Sequence, residues 1–183
     1  MDSHAEMIGE TSISLEQMLV AREQRVARQA VALARFGRPL ISVTLVIPGP
    51  IKDGQLPRRL MAQGLRELDD VAFRRGWSVL SHEALWQETG PEALYVIDTD
   101  AWTLKSAAIE LEDRHPIGRL WDLDVIAPGT GSLSRRSLGF PPRPCLVCPQ
   151  PAHVCGRSRR HPLEELLSTL RKIVHEYDLR TAI

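Results

Sequence analysis

The sequence predicts a single domain of the mixed α+β class, with a mixed sheet flanked by helices. Short apolar runs rich in β-branched residues alternate with segments of helical periodicity, which is the pattern of such a domain. The 183 residues suit one domain, and 43% hydrophobic with 25% charged residues is typical of a globular protein. No internal repeat or linker divides the chain, so we expect one unit over residues 1–183.

Four segments carry the apolar spacing of α-helices. In the first, 14–36, Ser14 and Gln17 have the spacing of a capping box, and Gly37 ends the helix. The other predicted helices cover residues 58–75, 100–112 and 162–177. Pro162 stands at the first position of the last helix, which is amphipathic.

Four apolar runs predict strands between these helices. They cover residues 40–47, 77–86, 92–97 and 120–128. Residues 129–160 are rich in Gly, Pro, Ser and Arg without periodicity, and we expect an irregular, basic, cysteine-containing segment there. Residues 1–12 are polar and are expected to be flexible.

Charge and hydropathy argue against several functional classes. The formal net charge is zero, which offers no general footprint for nucleic acid, and no apolar run approaches the ~20 residues of a membrane helix. The N-terminus lacks the basic segment and apolar run of a secretory signal. We therefore expect a cytoplasmic protein that binds neither nucleic acid nor membranes.

The zero net charge hides two blocks of opposite sign. Residues 83–124 carry ten acids and three bases, whereas residues 134–160 carry six arginines and no acid. Such blocks suit a site that holds a metal cation and a polyphosphate together. The alternative is that they form two differently charged solvated surfaces.

The stretch "GRLWDLDVIAPG" (118–129) places two acids in an apolar strand. Side chains alternate along a strand, so Asp122 and Asp124 are expected to share one face, with Cα atoms about 6.5–7 Å apart. Unpaired, they would repel each other, and a divalent cation such as Mg²⁺ removes that conflict while binding substrate phosphate. The alternative is an edge strand whose acids pair with Arg119 or Arg114.

A second pair with the same spacing, Asp98 and Asp100, precedes a predicted helix. An aspartate there commonly caps exposed backbone N–H groups. Capping accounts for this pair, and we assign it no chemistry.

Three cysteines and a histidine form the pattern C-x2-C-x6-C-x5-H: Cys145, Cys148, Cys155 and His161. A set of three cysteines and one histidine is a standard structural zinc coordination, and a metal would stabilise a segment that has no core of its own. His153 is an alternative fourth ligand. In the competing interpretation, the cysteines pack as small apolar residues beneath the arginine-rich loop.

Two basic loops are candidate phosphate contacts. One contains Arg135, Arg136 and Arg143, whose guanidinium groups match phosphate oxygens. The other contains Lys52 and leads to Arg58 at the start of a helix, a position that favours anions. No P-loop is present, and no Ser, Cys or His arrangement indicates an internal nucleophile.

Several motifs together resemble a known family. They are "LVAREQRVARQ" (19–29), "IPGPIKD" (47–53), "IELEDRHPIGRLWDLDV" (109–125), "SRR" (134–136), "PPRPCLVC" (141–148) and "VCGRSRRH" (154–161). In this order they resemble the citrate lyase holo-acyl-carrier-protein synthases, also called apo-citrate lyase phosphoribosyl-dephospho-CoA transferases. The resemblance covers roughly residues 13–175. A relation to nucleotidyltransferase folds, whose D-x-D strands bind Mg²⁺, is a fold-level analogy.

The resemblance implies a nucleotidyltransferase reaction with a small molecule and a protein partner. The substrate would be 2'-(5''-triphosphoribosyl)-3'-dephospho-CoA, and a serine of the acyl carrier (gamma) subunit of citrate lyase would accept its phosphoribosyl-dephospho-CoA part as pyrophosphate leaves. Asp122 and Asp124 would then be catalytic and hold Mg²⁺. Arg119 would also be catalytic and, with Arg135, Arg136 and Arg143, stabilise the leaving group, with Lys52 and Arg58 as further substrate contacts.

Two other functions remain open at this point. One is a related nucleotidyltransferase that acts on another carrier, such as that of malonate decarboxylase. The other is a zinc-stabilised, non-enzymatic adaptor whose arginine loop binds an acidic carrier protein.

Overall fold

The computed structural model describes residues 11–181. They form one five-stranded sheet with helices on both faces, which confirms the predicted α+β class. The helices are α1 (Leu15–Phe36), α2 (Gln55–Arg74), α3 (Ala101–Arg114), α4 (Ala152–Ser158) and α5 (Leu163–Thr181). The strands are β1 (Leu40–Leu45), β2 (Ser78–Leu85), β3 (Glu92–Asp98), β4 (Trp121–Ala127) and β5 (Gly131–Ser132). No helix in residues 11–181 is long and apolar enough to cross a membrane.

All the predicted helices and strands form, with shifted ends. The capping box is confirmed, since the Ser14 Oγ accepts from the Gln17 backbone N–H and the Gln17 side chain accepts from that of Ser14. Helix α2 begins earlier than predicted, at Gln55, and α5 continues to Thr181. Strand β1 ends at Leu45, before the proline and glycine that follow.

The strand order is β2-β3-β1-β4-β5, and each of the four pairings is antiparallel. The prediction of a mixed sheet is therefore wrong in this detail. Strands β1 and β2 run in the same direction on either side of α2, as expected for a helical crossover. However, β3 folds back between them, so no two parallel strands are neighbours in the sheet.

One face of the sheet, here called the core face, carries Tyr95, Trp121 and Leu123. These side chains are buried against α2, α3 and α5 in the main hydrophobic core. The indole Nε1 of Trp121 donates a 2.9 Å hydrogen bond to the Leu60 carbonyl. Gly64 makes room for the ring, because a Cβ there would lie 3.0 Å from Nε1.

The opposite face, here called the polar face, carries Ser42, Thr44, Glu92, Asp122 and Asp124. The strand register aligns Thr44 with Asp122 and Ser42 with Asp124 on neighbouring strands. Helix α1 covers part of this face with polar side chains: Gln29 Nε2 donates to the Ser42 hydroxyl at 2.9 Å, and Arg25 and Arg28 pair with Glu92.

Two buried charges of α3 cover the edge of β4. Strand β5 has two residues and pairs only with the end of β4, so no strand pairs with Leu123 on the side of the sheet edge. Glu112 Oε1 accepts from the Leu123 N–H at 2.8 Å, and Lys105 Nζ donates to the Leu123 carbonyl at 3.1 Å. These contacts satisfy backbone groups that would otherwise attract another strand.

The segment 129–160 is more ordered than its composition predicted. It contains β5, a 3₁₀ turn at Arg135–Leu138 and helix α4. The chain folds back on itself where the Cys145 N–H donates to the Gln150 carbonyl at 2.7 Å and the Ala152 N–H to the Arg143 carbonyl at 2.9 Å. Of the residues expected to be flexible, 1–10 lie outside the described part of the chain.

Candidate active site and metal centre

A cavity of about 940 Å³ opens where β1 ends and β4 begins. Its other walls come from the loop around residues 143–146, from α4 and from the start of α5. The charged and metal-ligating residues in its lining are Arg119, Asp122, Arg143, Cys145, Cys155, Arg159 and His161. A volume of this size suits a large nucleotide-like ligand.

Asp122 and Asp124 point to the same face of β4, while Leu123 between them enters the core. Asp122 lines the cavity, and Asp124 lies two residues further along the polar face, near Arg25 of α1. Partial desolvation and the negative charge of Asp122 raise the pKa of Asp124 above its ordinary value. The charges of Lys105, Arg25 and Arg143 oppose this rise in pKa without cancelling it.

Arg143 is the cation that holds Asp122 in position. Its Nη1 lies 3.2 Å from Asp122 Oδ1 and 3.4 Å from Glu112 Oε1. Its Nη2 donates to the carbonyls of Trp121 at 2.8 Å and Arg119 at 3.1 Å. Asp122 thus pairs with Arg143, not with Arg119 or Arg114, and the carboxylates of Asp122 and Glu112 balance the Arg143 charge.

Glu112 is a site residue that sequence reasoning did not single out. Its side chain is 4% exposed, and this burial raises its pKa, an effect that the nearby charge of Arg143 opposes. Glu112 binds Arg143 and the Leu123 N–H at once, so it fixes both the arginine and the strand that carries the aspartates. Its only sequence signal was its place in the motif 109–125.

Arg119 lines the cavity at the start of β4, and its guanidinium donates to the Pro144 carbonyl. Burial and the neighbouring charge of Arg143 lower the pKa of Arg119, although an arginine remains protonated at neutral pH. Since no acid pairs with it in the part of the chain that the structure describes, Arg119 keeps its charge available to a ligand.

The structure brings the four predicted metal ligands together. Cys148 Sγ lies 3.6 Å from Cys155 Sγ and 3.3 Å from His161 Nε2. Cys145 completes the group, and the four ligand atoms all lie within 4.8 Å of one another. His153, the alternative ligand, is exposed on α4 and is not part of this group. These four residues can therefore hold a metal ion.

The surroundings of the four ligands also suit a metal. His161 Nδ1 lies 3.0 Å from Glu165 Oε2, the carboxylate contact that commonly orients a ligating histidine. Burial acts to raise the pKa of the Cys145 thiol, but the N–H groups of Val147 and Cys148 bring it below its ordinary value. Burial among the other thiols raises the pKa of Cys155 to about 11, a shift that a bound cation would oppose because the thiolate is the form that binds metal.

Four of the predicted substrate contacts lie outside this cavity. Lys52 lines a neighbouring cavity of about 150 Å³, where its Nζ donates to the Ile47 carbonyl at 2.6 Å and burial lowers its pKa. Arg58 forms a two-pronged ion pair with Asp53. Arg135 pairs with Asp113 at 2.7 Å, and Arg136 is exposed on the 3₁₀ turn.

In the second acidic pair, the capping interpretation is confirmed for Asp100 but not for Asp98. The Asp100 carboxylate accepts from the Thr103 backbone N–H at 2.8 Å, which caps α3. Asp98 forms an exposed ion pair with Arg38 at 2.9 Å. Neither residue lines the main cavity.

Fold and site together point to a class of protein. An acid pair whose first member, Asp122, lines a cavity together with the unpaired cation Arg119, in an α+β domain, is typical of enzymes that act on phosphorylated substrates. The family model described as apo-citrate lyase phosphoribosyl-dephospho-CoA transferase matches residues 13–177, and the chain belongs to this family.

Individual relatives agree with this assignment. The chain is 43% identical over 173 residues to the apo-citrate lyase phosphoribosyl-dephospho-CoA transferase of Escherichia coli O139:H28, and the match covers 94% of each chain. The transferase of Shigella boydii serotype 18 with the same name is equally similar over the same length.

Proposed function

We propose that this chain transfers the phosphoribosyl-dephospho-CoA group of 2'-(5''-triphosphoribosyl)-3'-dephospho-CoA to a serine of the acyl carrier subunit of citrate lyase. The observation that carries the proposal is the cavity with Asp122, Arg119 and Arg143, in a chain 43% identical to relatives named for this transfer. The reaction is a nucleotidyl transfer that releases pyrophosphate. We expect it to take place in the cytoplasm.

The chain's own residues have separate tasks in this proposal. The serine oxygen of the carrier forms a bond to the phosphorus attached to the ribose, and the bond from that phosphorus to the departing pyrophosphate breaks. A carboxylate of the Asp122–Asp124 pair accepts the serine proton, directly or through a water. Arg119 faces the charge that develops on the leaving group, and Lys52 in the adjoining cavity is a further contact.

The same aspartates suit Mg²⁺. Their donor atoms are carboxylate oxygens, which this ion prefers, and the raised pKa of Asp124 indicates a place where added positive charge is favourable. When bound, Mg²⁺ would neutralise charge on the polyphosphate. Arg143 contributes by holding Asp122 at a fixed position and orientation.

Zinc is the metal we propose for Cys145, Cys148, Cys155 and His161. Zinc–sulfur bonds of about 2.3 Å in a tetrahedron place ligand atoms roughly 3.5–4 Å apart, close to the 3.3 and 3.6 Å separations here. Four protein ligands close the coordination sphere, so this zinc would be structural. Metal analysis of protein purified without a histidine tag should give about one equivalent, and less than about a tenth in folded protein would contradict the proposal.

The function is tested by incubating the protein with apo-carrier and the triphosphoribosyl dephospho-CoA derivative, and then weighing the carrier by mass spectrometry. The expected result is a covalent mass gain on the citrate lyase carrier that equals one phosphoribosyl-dephospho-CoA group. A gain only on the malonate decarboxylase carrier would point to the related transferase. Carrier binding without any gain would point to the non-enzymatic adaptor, and both outcomes would contradict the proposal.

A further inference from the structure

One wall of the main cavity is built by the metal-binding segment. More than half of the lining residues lie from Cys145 to Leu166, including three of the proposed metal ligands, Cys145, Cys155 and His161. Within this wall, Arg159 lies between Cys155 and His161 along the chain. Its position is therefore tied to the metal centre on both sides.

Arg159 has an unusual backbone conformation. Its φ of 47° is the only positive φ of a non-glycine residue in the part of the chain that the structure describes. The residue ends α4, where the Arg160 N–H donates to the Cys155 carbonyl at 3.1 Å. Glycine or asparagine is the usual residue at such a helix end, because a side chain disfavours this conformation. Residues held in such a conformation are commonly found at ligand sites.

The charge of Arg159 is also available. Arg143 is balanced by Glu112 and Asp122, whereas Arg159 is exposed and has no acidic partner among residues 11–181. Together with Arg119, it supplies the uncompensated positive charge of the cavity lining. A planar guanidinium with five donors is well suited to the oxygens of a phosphate chain.

We propose that Arg159 binds the polyphosphate part of the substrate in this cavity. The inference rests on the proposed function, which supplies a substrate with two phosphate groups of different kinds: the triphosphate on the ribose and the diphosphate within dephospho-CoA. Both offer the same chemistry to a guanidinium. Binding of inorganic tripolyphosphate and of dephospho-CoA, measured separately, tells the two sources apart.

Arg159→Gly is the sharpest variant, because it removes the guanidinium and places at this position the residue that best tolerates a φ of 47°. Its melting temperature should equal or exceed that of the parent protein. The matched control is Arg157→Ala, which removes an exposed arginine of α4 that does not line the cavity. Arg159→Lys keeps the charge and loses the planar fork.

Calorimetric titration of the zinc-containing protein decides the inference. Arg159→Gly should weaken binding of tripolyphosphate, of dephospho-CoA or of both on the order of 10-fold to 100-fold, the usual range for a lost charged hydrogen bond. Arg157→Ala should stay within about twofold of the parent, and Arg159→Lys should fall between. In the transfer assay, Arg159→Gly should raise KM more than it lowers kcat.

Two results would overturn the inference: parent-like binding of both ligands by Arg159→Gly, or an equal loss in Arg157→Ala, which would mean a diffuse effect of charge. The titrations need no transfer to occur, so they decide the role of Arg159 even if the carrier gains no mass. Transfer by the parent together with unchanged binding by Arg159→Gly would leave the proposed function standing and refute only this step.

Discussion

The two faces of the central sheet are built from the same strands but differ in role: one packs in the hydrophobic core, and the other carries the acids of the candidate site. On the core face, Trp121 and Leu123 are buried among the side chains of the helices. On the polar face, Asp122 and Asp124 alternate with them along β4. One strand therefore supplies both the buried side chains that anchor it in the core and the acids of the candidate site. Each acid is the sequence neighbour of a buried residue.

The faces also differ in how they are stabilised. The core face depends on apolar burial, which is non-directional and spread over many contacts. The polar face depends on a few directed contacts, above all the pairing of Arg25 and Arg28 with the buried Glu92. A substitution on the polar face should therefore affect either the transfer reaction or the ion cluster of Arg25, Arg28 and Glu92, according to which residue is changed.

The largest effect is expected for the acids of the polar face. Asp122→Asn and Asp124→Asn keep the side-chain shape but remove a charge at the reacting centre, so each should lower the transfer rate on the order of 10²–10³-fold. Their melting temperatures should remain near that of the parent. The measurement is the initial rate of mass gain on the carrier, and rates within about threefold of the parent for both variants would show that these acids are not catalytic.

Strand periodicity is the reason that this pair was predictable from the sequence. A period of two places residues 122 and 124 on one face whatever the rest of the fold does. The metal ligands were predictable for a related reason, since Cys145, Cys148, Cys155 and His161 lie within one short segment and few other residue types hold zinc.

The roles of the arginines and of Glu112 could not be predicted from the sequence, because they depend on contacts that only the folded structure shows. Arg58 and Arg135 were predicted substrate contacts, but each lies beside an acid, Asp53 and Asp113, that satisfies its charge. Glu112 was an ordinary helix residue in sequence. Only the packing of α3 against the edge of β4 brings it to Arg143.

The second prediction concerns Glu92, the acid that stabilises the polar face. Its side chain is 6% exposed, Arg25 Nε lies 2.5 Å from Oε2, and Gln87 donates to Oε1 at 3.0 Å. Glu92→Ala would leave two partly buried arginines without their acid, which should lower the free energy of unfolding by about 3 kcal/mol. Urea unfolding with an unchanged m-value would measure this loss.

The control for Glu92 is Glu83→Ala on the neighbouring strand β2. Glu83 is exposed, and removing it should change the free energy of unfolding by less than about 0.5 kcal/mol. A loss below about 1 kcal/mol in Glu92→Ala would mean that the polar face does not depend on this ion cluster, and the contrast between the two faces would then be one of chemistry alone.

The smallest effect is expected at the sheet edge, where Glu112 connects the two faces. Burial raises its pKa, so between the ordinary and the raised value the folded chain binds more protons than the unfolded chain. Stability should therefore fall as pH rises through this window. Glu112→Gln removes that titration, so the stability of the variant relative to the parent should improve as the pH rises through this window. If the free energy of unfolding in urea has the same pH dependence in the variant and the parent, Glu112 has no such role. A difference in stability that changes in favour of the variant as the pH rises would confirm that ionising the buried Glu112 costs stability at this edge.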